Sequence, residues 1–301
     1  MAKILIGADV GGTKTAVAVA EGEKILGRAD GPGAAVRPGR ALVAATTITE
    51  VVRRALAAAG RLNGDVLVVG AAGAGREPER EELRKALRGE NLATSVVVTT
   101  DIEIALAAAF SDGPGIVVSA GTGSVAVGRD QTGKQHRIGG YGWQMGDEGS
   151  GYAIGRAALG AVSRAMDARS PRTALSERVL RATRSSEFDD LVRWAATASP
   201  AEVAALAPHV LAVAAEGDQL AQGITDYAAR ELSQLAICLL PKMKITPPVR
   251  VAVTGGLLSA GQPLRKTLLA KLAEESAFQT TEAPVDAVAG ALRLATANSS
   301  A

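Results

Sequence analysis

The chain has 301 residues, which is enough for two domains with sizeable cores. Aromatic residues make up only 3% of it, so alanine, valine and leucine must form the core, which favours helices packed on sheets. The formal net charge is +2 and no basic run stands out, which argues against a nucleic-acid partner. No apolar run approaches membrane-spanning length, so we expect a cytoplasmic protein without a membrane partner.

The first part of the chain predicts three strands and then alternating helices and strands. Apolar runs typical of strands cover residues 4–6, 16–19, 24–29, 66–69 and 95–99. Helical spacing of apolar residues covers 40–59, 79–87 and 104–110. The buried side of the first helix is expected to include Leu42, Ile48, Val52 and Leu56. The predicted order is βββαβαβα.

The first two strands enclose a glycine-rich tip, Gly11-Gly12-Thr13-Lys14. A Gly-Gly pair at a hairpin tip permits positive φ and leaves backbone N–H groups uncovered, as a phosphate site requires. Thr13 adds a hydroxyl donor, and the carboxylate of Asp9 suits the hydrated Mg²⁺ that accompanies a nucleotide. The spacing is not that of a Walker A loop, because Thr13 stands where its lysine belongs and a strand follows. A plain hairpin turn is the alternative.

The same pattern begins again after residue 115. Strand-like runs at 116–118, 125–127 and 136–138 surround a second tip, Gly121-Thr122-Gly123-Ser124. From about residue 150 to about residue 240 the sequence is helical in character. It then predicts a strand at 249–253 and helices at 264–272 and 285–294. Two copies of one design indicate two similar domains, which we expect to be residues 1–111 and 112–301.

Five short motifs follow one another along the chain. They are Asp9 with Gly11-Gly12-Thr13, Thr99-Thr100-Asp101, Gly121-Thr122-Gly123-Ser124, Gly146-Asp147-Glu148-Gly149-Ser150 and Thr254-Gly255-Gly256. In this order they resemble the N-acetylglucosamine kinases of the BadF/BadG/BcrA/BcrD ATPase family, within the actin-like, hexokinase and Hsp70 superfamily. The likeness runs through residue 160 and returns at 249–294. It implies an α/β fold with two ribonuclease H-like (actin-like ATPase) domains facing a cleft and a helical insertion in the second.

The resemblance also implies cofactors, a substrate class and residue roles. ATP and Mg²⁺ would be the cofactors, and Asp9 would face the metal. The nucleotide would be held by Gly11, Gly12, Thr13, Lys14, Gly121, Thr122, Gly123, Ser124, Gly255 and Gly256. Asp101 would be the catalytic base, and the sugar would contact Asp101, Gly140, Tyr141 and Asp147. The implied reaction phosphorylates the 6-hydroxyl of a small amino sugar, N-acetylglucosamine first, with glucosamine and N-acetylmuramic acid as rivals. A homodimer is compatible with the sequence.

Other interpretations of the same residues stay open. Asp101 stands where a strand gives way to a helix, so it could be a helix N-cap, and Asp147 could lie in a solvated turn. An activator ATPase that couples hydrolysis to electron transfer is a competing function, but the lone Cys238, which we expect to be buried, looks unable to hold its iron–sulfur cluster. A nucleotide-gated binding protein of the Hsp70 type is a third. The histidines, His136 and His209, have no partner that the sequence identifies.

The sequence departs from the family pattern at two positions. N-acetylglucosamine kinases typically place an asparagine after the third strand and a serine after the fourth, and both bond the sugar. The matching positions are Ala35 and Ala72, which have no side-chain donor or acceptor. Either weak activity on N-acetylglucosamine or a preference for a bulkier relative, such as a sugar with a lactyl ether, is therefore expected.

Overall fold

The computed structural model describes residues 2–111 and 113–299, which divide into two units. Unit 1 comprises Met1–Gly113 and Val285–Ala301, and unit 2 comprises Pro114–Pro284. The expected first boundary falls near the observed one, although Asp112 itself lies outside the described residues. The expected second domain, 112–301, has to be corrected, because the residues from 285 onward pack with unit 1.

Unit 1 is built on a mixed five-stranded sheet in the order β3-β2-β1-β4-β5. Its elements are β1 (Ile4–Val10), β2 (Lys14–Glu21), β3 (Lys24–Pro32), α1 (Ala41–Ala58), β4 (Gly64–Ala71), α2 (Glu77–Arg88), β5 (Ala93–Thr99) and α3 (Asp101–Phe110). β1 pairs antiparallel with β2 and parallel with β4, and β5 extends the parallel part. The observed element order is the predicted βββαβαβα.

Unit 2 repeats the arrangement, with the sheet order β10-β9-β6-β7-β8. Its strands are β6 (Gly115–Ala120), β7 (Ser124–Arg129), β8 (Gln135–Gly139), β9 (Val249–Thr254) and β10 (Phe278–Thr280). Its helices are α4 (Gly151–Met166), α5 (Leu175–Thr183), α6 (Phe188–Thr197), α7 (Pro200–Ala204), α8 (Ala207–Ala215), α9 (Gln219–Ile237), α10 (Leu240–Met243) and α11 (Pro263–Glu274). The helical insertion thus lies between β8 and β9. Strand β10 was not predicted, because a run of this length carries no periodic signal.

The last helix, α12 (Ala287–Ser299), completes unit 1. It packs beside α3 against the sheet, where Ala291 and Ala295 share a buried cluster with Leu5 and Ile104. Two glycines make this contact close. A Cβ on Gly7 in β1 would lie 2.9 Å from the backbone nitrogen of Leu292, and a Cβ on Gly290 would overlap the carbonyl of Ile104.

The opposite face of the sheet is covered by α1. Ile6 in β1 shares a buried cluster with Ile48, Val52 and Leu56 of that helix. Leu42 was expected on the same side, but it is 74% exposed. Because helical residues advance by about 100° each, Leu42 lies about 120° around the helix from Ile48, outside the buried arc.

Cys238 follows the last residue of α9 and is exposed, so the expectation of a buried thiol was wrong. The apolar run around it winds round the helix end, which buries Leu235 and Leu239 and turns the cysteine outward. Among the described residues, none of the helices has the length and apolar character needed to cross a membrane.

Candidate functional site

The first hairpin joins β1 to β2 through the expected glycine-rich tip. The N–H of Gly11 donates to the carbonyl of Lys14 over 2.9 Å, and the residues from Gly12 to Lys14 are exposed. Neither Gly11 nor Gly12 has a positive φ, so the expectation that this tip needs glycine for a positive φ was wrong. The segment after β3 packs closely on this tip, because a Cβ on Gly33 would overlap the carbonyl of Gly12. The tip presents an uncovered backbone, as a phosphate site requires.

Asp9 projects from the face of β1 that α3 and α12 cover, since it follows Gly7 by two residues. Burial raises the pKa of Asp9 to about 6, and the negative charges of Asp101 and Asp286 add to the rise, while Lys14 opposes it. Lys14 itself pairs with Asp30 over 3.1 Å in an exposed ion pair. Asp9 is therefore a carboxylate crowded by like charges, which a divalent cation would relieve.

The sheet register sets the distance between Asp9 and Asp101. Asp9 stands opposite Gly70 in β4, and Gly70 stands opposite Thr99 in β5. Neighbouring strands are about 4.8 Å apart, so Thr99 lies roughly 10 Å from Asp9 along this row, and Asp101 follows it by two residues. Because β1, β4 and β5 are parallel, their carboxyl ends meet at one edge of the sheet, and both aspartates lie there.

Asp101 is the first residue of α3, and Thr100 is the N-cap. The Thr100 hydroxyl accepts the N–H of Glu103 over 3.2 Å, and the Glu103 carboxylate accepts the N–H of Thr100 over 2.9 Å. These two bonds form a capping box. The interpretation of Asp101 as the N-cap was therefore wrong. Its carboxylate Oδ1 accepts the N–H of Ile102 over 3.0 Å.

Asp286 is the site residue that the sequence argument missed. It precedes α12, and its Oδ1 accepts the N–H of Ala289 over 3.1 Å, which is an N-cap bond. Asp286 lies at the start of the helix that the sequence predicts over 285–294, where an aspartate is a readable capping signal. Its place beside Asp9 could not be read, because it depends on the packing of α12 against β1.

The carboxylates of unit 1 fit Mg²⁺ only in part. Oxygen ligands are the ones that Mg²⁺ prefers, and Asp9 and Asp101 supply them at one edge of the sheet. Among the described residues, however, no group of three side chains is placed to hold a metal ion by itself. Mg²⁺ would therefore keep water and phosphate oxygens as its other ligands, as it usually does beside nucleotides.

The second hairpin of unit 2 is tied to the loop that contains Asp147. A Cβ on Gly123 would lie 2.7 Å from Oδ2 of Asp147. The Ser124 hydroxyl donates to the carbonyl of Glu148 over 2.7 Å, and the N–H of Gly151 donates to the carbonyl of Gly121 over 2.8 Å. The Gly-Thr-Gly-Ser tip and the predicted sugar loop thus form one packed structure.

Asp147 is buried, with 8% of its surface exposed and a φ of 62°. The solvated-turn interpretation is therefore wrong for Asp147, although its neighbour Glu148 is exposed. Burial raises the pKa of Asp147, while hydrogen bonds from the backbone N–H groups of Ser124 and Gly142 oppose the rise.

Gly140 and Tyr141 lie at the start of the same loop. Gly140 has a φ of 72°, and its carbonyl accepts a hydrogen bond from Nη2 of Arg137 over 2.7 Å. Tyr141 is 62% exposed. Trp143 is partly exposed, and its ring centroid lies 5.1 Å from that of Tyr152 in α4. The loop therefore offers aromatic surface beside the buried carboxylate.

The last motif, Thr254-Gly255-Gly256, begins at the last residue of β9 and lies directly beside the second hairpin. Gly255 has a φ of 97°, and a Cβ on it would overlap the carbonyl of Ala120, the residue before the hairpin tip. Only glycine satisfies both conditions. Gly256 is exposed.

The two departures from the family pattern belong to segments that meet in unit 1. The N–H of Val36, next to Ala35, donates to the carbonyl of Ala72 over 2.8 Å. The N–H of Ala72 in turn donates to the carbonyl of Val10, at the end of β1. Both segments therefore adjoin the strand that carries Asp9.

His136 has a partner that the sequence did not identify. Its Nε2 lies 2.8 Å from Oδ2 of Asp130 at the turn between β7 and β8. Asp130 also accepts bonds from the hydroxyl and the N–H of Thr132. These bonds lower the pKa of Asp130 and make His136 part of a structural turn.

Comparison with known proteins places these motifs in a family context. The sequence model of the BadF/BadG/BcrA/BcrD ATPase family matches residues 6–295. An N-acetylmuramic acid/N-acetylglucosamine kinase of Clostridium acetobutylicum is 34% identical over 168 residues, 55% of this chain and 55% of that protein, so the match spans little more than half of that relative. An N-acetyl-D-glucosamine kinase of Dictyostelium discoideum is 29% identical over 291 residues, 90% of this chain and 91% of that protein.

A solved structure shows the same architecture. The crystal structure of a candidate N-acetylglucosamine kinase from Chromobacterium violaceum has a TM-score of 0.82 and 27% sequence identity. The likeness covers 98% of this chain and 99% of that one. It confirms the expected α/β fold class of two ribonuclease H-like (actin-like ATPase) units.

Proposed function

Because the chain belongs to the BadF/BadG/BcrA/BcrD ATPase family, we propose that it transfers the γ-phosphoryl group of ATP to the 6-hydroxyl of an amino sugar, with N-acetylglucosamine as the first candidate. The observation that carries this proposal is the meeting of Asp9 and Asp101 at one edge of the unit 1 sheet, beside an exposed glycine-rich hairpin. Phosphoryl transfer needs these parts: phosphate donors, a metal-facing carboxylate and a base.

In the proposed reaction, the 6-hydroxyl oxygen attacks the γ-phosphorus and the bond to the β-phosphate oxygen breaks, which releases ADP. Asp101 takes the hydroxyl proton, and its place at the first turn of α3 leaves its carboxylate at the sheet edge. The backbone of Gly11 to Lys14 and the Thr13 hydroxyl bind phosphate oxygens. Asp9 would face Mg²⁺, and the bound ion would neutralise charge on the phosphates.

Residues of unit 2 carry the remaining roles of the proposed function. We assign the tip Gly121–Ser124 to phosphate, Gly255 and Gly256 to the adenosine, and Gly140, Tyr141 and Asp147 to the sugar. The packing of Asp147 against Gly123 supports this assignment, since it joins the two groups of residues. Because ATP is the phosphoryl donor, we place the reaction in the cytoplasm.

A coupled assay of ADP release tests the proposal. N-acetylglucosamine, glucosamine, N-acetylmuramic acid and glucose are offered with ATP and Mg²⁺, and phosphorylated sugar is measured beside ADP. We expect sugar-dependent ADP release with one phosphorylated sugar for each ADP. ATP hydrolysis that no sugar stimulates would contradict the proposal.

An iron assay of the same preparation addresses the activator-type alternative. A cluster of that kind takes four thiolates, and a chain with one cysteine supplies two to a dimer. We therefore expect no stoichiometric iron.

A further inference from the structure

We propose that Glu103 is a positioning residue for Asp101, an inference that rests on the proposed kinase function. Glu103 lies in the first turn of α3. Its carboxylate oxygen Oε2 accepts three hydrogen bonds from the two residues that precede Asp101. These are the hydroxyl of Thr99, and the N–H and hydroxyl of Thr100, the latter two at 2.9 Å each.

The Thr99 bond goes beyond an ordinary capping box. A capping box links the N-cap residue and the third helical residue, here Thr100 and Glu103. Thr99 is the last residue of β5, so its bond to Glu103 joins the end of the strand to the first turn of the helix. The backbone that leads into Asp101 is thereby held from both preceding residues.

The remainder of α3 is held by α12. The carbonyls of Ala107 and Ala108 accept bonds from Nη1 of Arg293, both over 3.2 Å. The close approach of Gly290 to Ile104 fixes the middle of the helix. With the body of α3 anchored, the first turn is the part whose position depends on side-chain bonds, and Glu103 supplies them.

The direction of the Asp101 side chain follows from the geometry of this turn. A base must meet the hydroxyl proton within hydrogen-bond reach, and a misplacement of about 1 Å can cost roughly 100-fold in rate. Loss of the Glu103 carboxylate would release Thr99 and Thr100 and let the first turn fray. We therefore expect loss of the Glu103 carboxylate to lower turnover and to leave nucleotide affinity unchanged.

The chain offers a matched control in unit 2. Ser199 and Glu202 form a second capping box at α7, in which the N–H of Ser199 donates to Glu202 over 2.7 Å and the N–H of Glu202 donates to the Ser199 hydroxyl over 3.3 Å. Glu202→Ala removes the same kind of cap from a helix of the other unit. Glu103→Gln is the conservative variant, because glutamine also serves in a capping box.

Kinetics of ADP release with the best sugar test the inference. We expect Glu103→Ala to lower kcat by about 10- to 100-fold and to change the KM for MgATP by less than about twofold. Glu103→Gln should recover most of kcat, and Glu202→Ala should match the wild type. Adding Glu103→Ala to Asp101→Asn should cost almost nothing further, because residues that act as a unit are not additive. An unchanged kcat in Glu103→Ala, an equal loss in Glu202→Ala, or a full further loss in the double variant would overturn the inference.

Hydrogen exchange of the peptide that covers residues 99–106 separates this inference from the proposed function. We expect faster exchange there in Glu103→Ala and wild-type exchange in Glu103→Gln and Glu202→Ala. If no sugar stimulates ADP release by the wild type, the proposed function fails. The exchange pattern still shows whether Glu103 anchors the first turn of α3. Unchanged exchange in Glu103→Ala overturns the inference even in an active kinase.

Discussion

The carboxylate of Asp147 rests against the backbone of Gly123, so that a Cβ on Gly123 would stand 2.7 Å from its Oδ2. One residue belongs to the second glycine-rich tip and the other to the loop assigned to the sugar. A side chain at Gly123 must therefore disturb both, by a steric route that needs no positive φ.

Gly123→Val is expected to weaken MgATP binding by about tenfold or more and to abolish turnover, because the valine would displace Asp147 and cover the tip. Calorimetry with MgATP measures the first effect. Gly223→Val in α9 is the control, since a Cβ there meets nothing within 4 Å. Wild-type MgATP affinity in Gly123→Val would contradict the assignment of the second tip to phosphate.

Asp101→Asn should lower turnover by about 10²- to 10⁴-fold, the usual range for the loss of a positioned general base. Nucleotide affinity should hardly change, because Asp101 acts on the sugar hydroxyl. Steady-state kinetics and calorimetry give the two values. Near-normal turnover would show that Asp101 is not the general base and only belongs to the first turn of α3.

Asp9→Asn should change how stability depends on pH. The pKa of Asp9 is raised from 3.8 to about 6 in the folded chain, so folding favours the protonated carboxyl. This contribution is fully present below pH 3.8 and is lost as pH rises through about 6, a difference of about 3 kcal/mol in the free energy of unfolding. Without metal or nucleotide, Asp9→Asn should be the more stable protein at pH 8, and the advantage should vanish near pH 4. Urea unfolding of both proteins across this pH range measures the difference in their free energies of unfolding. A difference that does not change with pH would contradict the raised pKa of Asp9.

Ala35→Asn tests whether the two alanines shape substrate choice. A sugar that needs a hydrogen bond at this position should gain about 5- to 100-fold in kcat/KM from the asparagine. N-acetylglucosamine, glucosamine, N-acetylmuramic acid and glucose are compared on both proteins. If the wild type already prefers N-acetylglucosamine strongly and the asparagine adds nothing, Ala35 and Ala72 do not determine specificity.

Local patterns were sufficient for the order of the elements in unit 1 and for the glycine-rich tips, but they did not show that α12 belongs to unit 1. The strands and helices of unit 1 follow from apolar periodicity, and the repeat in unit 2 from the second tip. The errors arose where several elements meet. Cys238 and Leu42 were misplaced because a short apolar stretch does not fix the phase of a helix relative to its partner.

The candidate site was predicted only where its residues are close in sequence to a motif. Asp9 and Asp101 stand at strand ends, which sequence periodicity locates. The charge of Asp286 acts on Asp9 because α12 packs on the sheet, and Asp147 lies against Gly123 because its own backbone is in a left-handed conformation. Such contacts depend on tertiary packing and have no local signal.

The position of α12 also constrains the order in which the chain can fold during its synthesis. Unit 2 is continuous, so all of it has been translated before Ala287–Ser299 emerges. Until then, α3 alone covers one face of the first sheet, and the surface of Leu5, Val66 and Val68 that Ala291 and Ala295 would bury stays open to solvent or to other chains. Unit 1 is therefore the first unit to be started and the last to be completed. A nascent chain released near residue 284 would expose apolar surface of the unit 1 sheet, which favours aggregation.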